Sequence, residues 1–322
     1  MKTLSFKKFK IGTYESNENM TGVSVILAED GASIGADVRG CAPGTRETDL
    51  IKSEKSVEKA HAVVLAGGSA FGLDAAAGVM EYLSERDKGY DTGFAKVPIV
   101  PEAVIFDLSC GNPKAFPDKK MGYLACENAS NKIKEGNYGA GCGATVGKLR
   151  GFGFAMKGGV GYYEIKHNSG LTVGAYVVVN ACGEVYDEEM PFSNNILAGS
   201  LNDEHNKVIP SNEILLNGKY NESKGSNTTI ACIITNAVLS KVECNRVASM
   251  AHNGLARSIR PVHTSMDGDT IFTMASGEGK IEYEGNISDL VGYLAQKALR
   301  KSVISAIVNA QHNNYYKTYN EL

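Results

Sequence analysis

Nowhere in the 322 residues do about 20 apolar side chains run together, the length a helix needs to cross a bilayer. The opening stretch, MKTLSFKKFKIGTYE, is basic but leads into no apolar run, which argues against a secretory leader. Charge of one sign is scarce: the formal net charge is −3, and no basic cluster alternates with aromatics. Neither nucleic acid nor a membrane surface is therefore an expected partner. The seven cysteines are scattered, odd in number and without a C-x-x-C, so they read as reduced thiols. No disulfide framework and no zinc site is expected, and the cytoplasm is the expected compartment. No Ser-His-Asp set and no Cys-His signature can be recognised, so the common nucleophile systems have no support.

Glycine is what the sequence has in excess. Its 36 residues cluster instead of spreading, as tight turns and close backbone approaches require. The length suits one large domain, with no internal repeat or low-complexity segment. GVSVILAEDGASIGADVRG (22–40) alternates around a D-G pair and predicts a hairpin. HAVVLAGGSAFGLDAAAGVMEYLSE predicts a strand, a glycine turn and an alanine-rich helix. VPIVPEAVIFDL, with two prolines, suits an irregular or edge strand. MGYLACENASNKIKEG reads as a helix ending near Gly136, and LTVGAYVVVNACG as a strand through Asn180. From Leu201 to Asn227 polar residues dominate, predicting a long loop. A strand follows (TTIACIITNA), then a helix with a Ser240/Glu243 capping signal, a turn and strand (DGDTIFTMASG), and a long C-terminal helix. Hairpin-like strands with separate helices indicate an α+β layered fold.

Several motifs admit two readings. GGSAFG (67–72) lies between a strand and a helix but lacks the spacing of a dinucleotide loop or a nucleophile elbow. It is either a tight turn or the lining of a substrate pocket. GCGATVGKL has the wrong spacing for a Walker A loop, and Leu149 follows its lysine. Lys148 is then a solvated surface residue or one held against backbone and ligand. Asp267 and Asp269 in DGD are too few for a metal site and read locally as a turn with solvated carboxylates. His263 has no partner at a metal spacing and reads as structural.

The stretch KGSNTTIACIITNA poses the sharpest question. A threonine can act as a nucleophile without histidine when it is N-terminal, because its own α-amine, with a pKa of about 7.7–8.0, is the base. Thr228 is internal and gains such an amine only if the chain is cut after Asn227. A polar loop ending in Asn-Thr directly before a core strand suits self-cleavage, and it equally suits an ordinary loop entering a strand.

Taken together, SNTTIACIITNA, IRPVHTSMDGDTIF, HAVVLAGGSAFGLDAAAGV, RGCAPGTRETDL and YGAGCGATVGK resemble a self-processing N-terminal-nucleophile family. It comprises β-aminopeptidases, the L-aminopeptidase/D-Ala-esterase/amidase and nylon-oligomer (aminohexanoate-oligomer) endohydrolases. The resemblance runs in order from about Gly22 to Ala310. It implies a four-layer αββα sandwich, shared with ornithine acetyltransferase, in one domain (1–322) processed into an α chain (1–227) and a β chain (228–322). It further implies Thr228 as nucleophile, Asn180 as oxyanion donor, Lys148 beside the nucleophile, and Asp267 with Asp269 as the acidic pair orienting Lys148 and the Thr228 amine. Gly67, Gly68, Ser69 and Phe116 are expected to contact substrate, with Phe116 standing where relatives carry tyrosine. The implied activity is amide hydrolysis of short peptides, β-amino amides or ω-amino-acid oligomers through an acyl-enzyme, with no metal or organic cofactor. The implied assembly is a homo-oligomer, a tetramer of αβ units. An acyltransferase on the same fold, or an uncleaved small-ligand-binding protein, are the alternatives. Intact mass under denaturing conditions is expected to give fragments 1–227 and 228–322 from wild type and one full-length chain from Thr228→Ala; an uncut wild-type chain would remove the catalytic base from this reading.

Overall fold

One strand ties the layers together. Residues Thr21–Val38 form a single strand, β2, and not the hairpin that Asp30-Gly31 suggested. Gly31 takes a left-handed φ of 79°, and the register against the neighbouring strand shifts between Leu27 and Ala32. The chain bends there without reversing, because each half of β2 has its own partners. The first half pairs with β1 (Lys10–Ser16) and β3 (Lys59–Ala66). The second half pairs antiparallel with β8 (Thr270–Ala275). The computed structural model describes residues 2–191, 195–218 and 227–322.

The remaining long strands are β4 (Glu102–Val104), β5 (Gly159–Lys166), β6 (Thr172–Asn180) and β7 (Thr228–Thr235). Their order is β5-β6-β7-β8-β2-β3-β4, with Thr45–Arg46 at the end and β1 beside β2. Pairing is parallel at β7–β8 and β3–β4 and antiparallel elsewhere along this path. The helices are α1 (Ala75–Ser84), α2 (Lys119–Glu127), α3 (Ser211–Leu216), α4 (Lys241–Ala256) and α5 (Ile287–Val308).

Side-chain alternation generates three apolar seams and therefore four layers. Val173, Ala175, Val177 and Val179 of β6, with Ala231 and Ile233 of β7, pack against α4 and α5. Tyr176, Val178, Ile230, Cys232, Ile234 and Phe272 face the other way and meet Ile26, Ile34, Val63 and Leu65 between the two halves of the sheet. Val23, Val25, Leu27, Ala62 and Val64 pack against α1 and α2. The result is the αββα sandwich. Strands buried on both faces are continuous apolar runs, as in TIACII and AYVVV.

Two further expectations change. The polar stretch after Leu201 is not structureless: Ser200–Leu201 pairs with Val208–Ile209, and α3 follows, anchored by Ser211 N–H on buried Glu184 at 2.6 Å. Residues 219–226 lie outside the described residues. Helix α2 ends at Glu127, well before Gly136, because Ser130 bridges to Ile11 and Lys132–Ile133 pairs with Lys2–Thr3. The Ser240/Glu243 capping box of α4 is present.

Helices α1 and α2 touch backbone to backbone. A Cβ on Gly122 would lie 2.0 Å from the Ala75 carbonyl oxygen, and one on Gly78 would lie 1.8 Å from that of Lys119. Alanine is the better helix former by about 1 kcal/mol, whereas overpacking a tight contact costs about 1–3 kcal/mol. Gly122→Ala is therefore expected to lower stability, read as a reduced urea midpoint; an unchanged or raised midpoint would mean that the helices separate freely.

Candidate active site

Three strand ends meet at one level of the sheet. Asn180, the last residue of β6, lies directly opposite Thr228, the first of β7. On the other side Asn227 bridges in parallel to Asp267, just before β8. All four residues are buried. The Thr228 hydroxyl donates to the carbonyl oxygen of Asn227, the peptide group joining the two residues. The same oxygen accepts Gly268 N–H at 3.2 Å. The Thr228 hydroxyl and this carbonyl are thus adjacent, with a backbone donor on the carbonyl oxygen.

The Gly-rich stretch supplies the next group. Gly147 takes φ 73° and passes so close to Gly199 that a Cβ would lie 2.0 Å from its carbonyl carbon. This turn, pinned by Lys148 N–H on the Cys182 carbonyl at 2.8 Å, directs the Lys148 side chain inward. Its Nζ reaches Asn180 O at 2.9 Å and Asn180 Oδ1 at 3.0 Å. Lys148 is fully buried, not solvated, and burial pushes its pKa down to about 8 against the pull of nearby acidic groups including Asp267. Asn180 Oδ1 also accepts Thr145 N–H at 3.0 Å, and Nδ2 donates to the Phe106 carbonyl at 3.1 Å. Donors on one side and an acceptor on the other fix which way this amide points.

The two carboxylates of DGD are buried as well, which overturns the solvated-turn reading. Asp267 Oδ2 accepts Thr264 N–H at 2.8 Å and the Thr264 hydroxyl at 2.6 Å. Burial, and next the like charge of Asp269, raise its pKa to about 6, while the Thr264 bonds oppose the rise. Asp269 Oδ1 accepts the Thr229 N–H at 2.6 Å, and Oδ2 faces His263.

Gly67, Gly68, Ser69 and Phe116 gather at a turn anchored on Asp107. Gly68 N–H donates to Asp107 Oδ1 at 2.6 Å, and Asp107 Oδ2 accepts the Thr21 hydroxyl at 2.7 Å. A Cβ on Gly67 would lie 2.0 Å from that second oxygen. Gly68 and Ser69 are both left-handed, at φ 81° and 52°. The Phe116 ring stacks on Phe71 at 4.5 Å, and Phe116 with Thr21 lines a groove of about 230 Å³. None of these four residues hydrogen-bonds to Thr228 among the described residues. Their link to it runs through Asp107 and its neighbour Phe106, whose carbonyl holds Asn180. A surface groove of about 660 Å³ between α1 and α2 contains none of the predicted site residues.

Sequence reasoning missed two groups. Asp107 is fully buried, and burial raises its pKa to about 6. Lys157 is fully buried with Nζ 2.7–2.9 Å from the carbonyl oxygens of Gly141, Ala144 and Gly158, and burial lowers its pKa to about 8. The Ala144–Thr145 peptide is thereby held at both ends, its carbonyl by Lys157 and its N–H by Asn180. Only the glycine density around Lys157 hinted at a backbone cradle.

A strand-terminal threonine, a facing amide, a buried lysine and paired carboxylates thus lie together on an αββα sandwich. Residues 7–319 match the model of peptidase family S58, and the chain belongs to that family. It is 39% identical over 318 residues to an uncharacterized aminopeptidase of Mycobacterium tuberculosis, covering 94% of this chain and 89% of that one. It is 32% identical over 280 residues to the 6-aminohexanoate-oligomer endohydrolase of Paenarthrobacter ureafaciens, covering 86% and 76%. Its fold matches the L-aminopeptidase D-Ala-esterase/amidase of Ochrobactrum anthropi, described as a variant among the Ntn hydrolase fold, with a TM-score of 0.67 at 18% identity over 97% of this chain and 88% of that one. The Burkholderia sp. β-aminopeptidase gives a TM-score of 0.67 at 18% identity, over 98% and 90%. The protein is a hydrolase of amide bonds. Among the described residues no helix is long and apolar enough to cross a membrane.

Lys148 has a pKa of about 8 folded against 10.5 for the free side chain, so between these values the unfolded chain binds more protons. Its contribution to stability therefore rises with pH across that window. Urea unfolding of wild type and Lys148→Met at pH 8 and above is expected to show the difference moving in favour of wild type as pH rises; a constant difference would mean that the buried ammonium does not titrate there.

Proposed function

We propose that the chain cuts itself between Asn227 and Thr228 and then hydrolyses amides with the exposed threonine. The observation that carries this reading is the Thr228 hydroxyl lying on the Asn227 carbonyl with Gly268 N–H on the same oxygen. In the first reaction Oγ1 attacks that carbonyl carbon, the C–N bond breaks as Thr228 N takes a proton, and an ester remains. Water hydrolyses the ester, leaving the Asn227 carboxylate and the Thr228 α-amine. In the second, the amine draws the proton from Oγ1 as it attacks a substrate carbonyl and passes it to the leaving amine. Asn180 gives the oxyanion the Nδ2 hydrogen that does not meet the Phe106 carbonyl; removing such a donor typically costs about 10²–10³ in kcat. Lys148 provides positive charge beside the amine and oxyanion, and Asp267 and Asp269 orient Lys148 and the new terminus.

The family relatives suggest the substrate class: short peptides, β-amino amides or ω-amino-acid oligomers with a free amine near the scissile amide. Gly67, Gly68, Ser69 and Phe116 form one wall of the substrate site, and Phe116 contributes no hydroxyl to it. We place the enzyme in the cytoplasm as a homo-oligomer of cut units, with a tetramer as the working assembly.

Linear 6-aminohexanoate oligomers and a panel of aminoacyl p-nitroanilides test the reading. Product amine is expected from wild type and none from Thr228→Ala, with Asn180→Ala reduced about 10²–10³-fold. The rate should fall on the acid side as the Thr228 amine and, near pH 6, Asp267 take protons, and on the alkaline side near pH 8, as Lys148 loses one. Turnover by Thr228→Ala would sink the assignment. Transfer of the acyl group to an added amine, with little hydrolysis, would instead make the protein an acyltransferase.

A further inference from the structure

His263, which reads locally as structural, points straight into the site. Its Nδ1 lies 2.8 Å from Asp269 Oδ2, and its backbone N–H donates to the same oxygen at 3.1 Å. The other oxygen of that carboxylate takes the Thr229 N–H at 2.6 Å. One carboxylate is thus clamped between His263 and the peptide group immediately after Thr228. His263 holds this place in a left-handed backbone, φ 58°, a region that residues with a Cβ visit only at some cost.

The second ring nitrogen defines the form of the imidazole. Among the described residues His263 Nε2 is buried without a hydrogen-bond partner, and the ring packs edge-to-face on His252 with centroids 4.7 Å apart. His252 gives its Nε2 to the Asp37 carbonyl at 3.1 Å, and its own Nδ1 is also buried without a partner. Burial, with His263 and Arg39 nearby, lowers the His252 pKa to about 4. A proton on His263 Nε2 would be a buried donor with no acceptor, next to a second imidazole. The neutral ring with its proton on Nδ1, donated to Asp269, is the form that this geometry accommodates.

We propose that His263 is a positioning residue for the Thr228 nucleophile: its Nδ1–H fixes the Asp269 carboxylate, which through the Thr229 N–H fixes the first residue of β7. This rests on the reading of Thr228 and Asp269 given above. Without the ring donor the carboxylate can rotate about its Cβ–Cγ bond, and the start of β7 loses a short hydrogen bond at the point where the nucleophile must be held. Displacing a reacting group by about 1 Å can cost about 10²-fold in rate.

His263→Asn and His263→Asp make the test. Both tolerate a left-handed backbone and have the same shape, but Asn presents an N–H near the position of Nδ1, whereas Asp presents a second carboxylate to Asp269. The readouts are the rate of cutting at Asn227–Thr228 by intact mass, and kcat and KM on an anilide that wild type turns over, with thermal unfolding to confirm the fold. The Asn variant is expected to keep most of the wild-type rate. The Asp variant is expected to cut and turn over about 10²-fold more slowly, with KM little changed. Equal rates for the two variants, whether both normal or both impaired, would overturn the proposal. If the Asp variant does not fold, His263→Gly with and without added imidazole decides: recovery by imidazole supports the role, and no recovery refutes it. Asp269→Asn separates the two readings. If that variant is unimpaired, the role of Asp269 falls and this proposal with it; if it is impaired while both His263 variants behave as wild type, only this proposal falls.

Discussion

A lysine ammonium removed from water is expensive to hold, by several kcal/mol, unless oriented dipoles replace its hydration shell. Lys148 is such a group, and the site is arranged around supplying those dipoles. The carbonyl of Asn180 and its side-chain oxygen face the ammonium, and that orients the same amide so that its nitrogen points away, toward Phe106. The peptide before Thr145 contributes an N–H to Asn180, while Lys157 and the Gly158 N–H hold its carbonyl. A second buried ammonium thus stabilises the loop that satisfies the first. Remove either, and the amide facing Thr228 loses the contacts that define its direction.

The carboxylates complete the balance of charge. Asp107, Asp267 and Asp269 are all buried, and each is held by short hydrogen bonds from backbone or hydroxyl groups. In a region with two buried lysines these acids lower the cost of the cations, and the cations lower the cost of the acids. The separation matters as much as the total. Asp269 is tied to β7, whereas Asp267 is tied to its own loop through Thr264, so two acids two residues apart serve different parts of the site.

Much of this architecture is readable in the residue order. Alternation in LTVGAYVVVN and TTIACIITN places those strands, and the capping residues of α4 place its start. The bend in β2 is not readable, because Asp-Gly signals a reversal by local chemistry, while the pairing of both strand halves with distant partners decides otherwise. The site divides in the same way. Thr228, Asn180 and the two aspartates could be named because the family resemblance brings several motifs together at once. For Lys148 the local sequence left two readings open, solvated or held against backbone and ligand, and the turn at Gly147 decides for the second by directing the side chain inward. Asp107 and His263 carry no local signal, and Lys157 only the glycines around it; their surroundings are backbone carbonyls, amides and side chains contributed largely by other segments.

Strand β7 lies inside the sheet, between β6 from the first part of the chain and β8 from the last. Helix α5 packs against β5 and β6, which also precede Asn227. The segment from Thr228 to Leu322 therefore shares its core with the preceding 227 residues: α4 and α5 pack on each other, but β7 pairs with β6, β8 with β2, and α5 covers β5 and β6. Breaking the peptide bond before Thr228 would leave two polypeptides interlocked as one folding unit. Such a pair resists dilution and washing, separates only on denaturation, and returns to order only by fragment complementation.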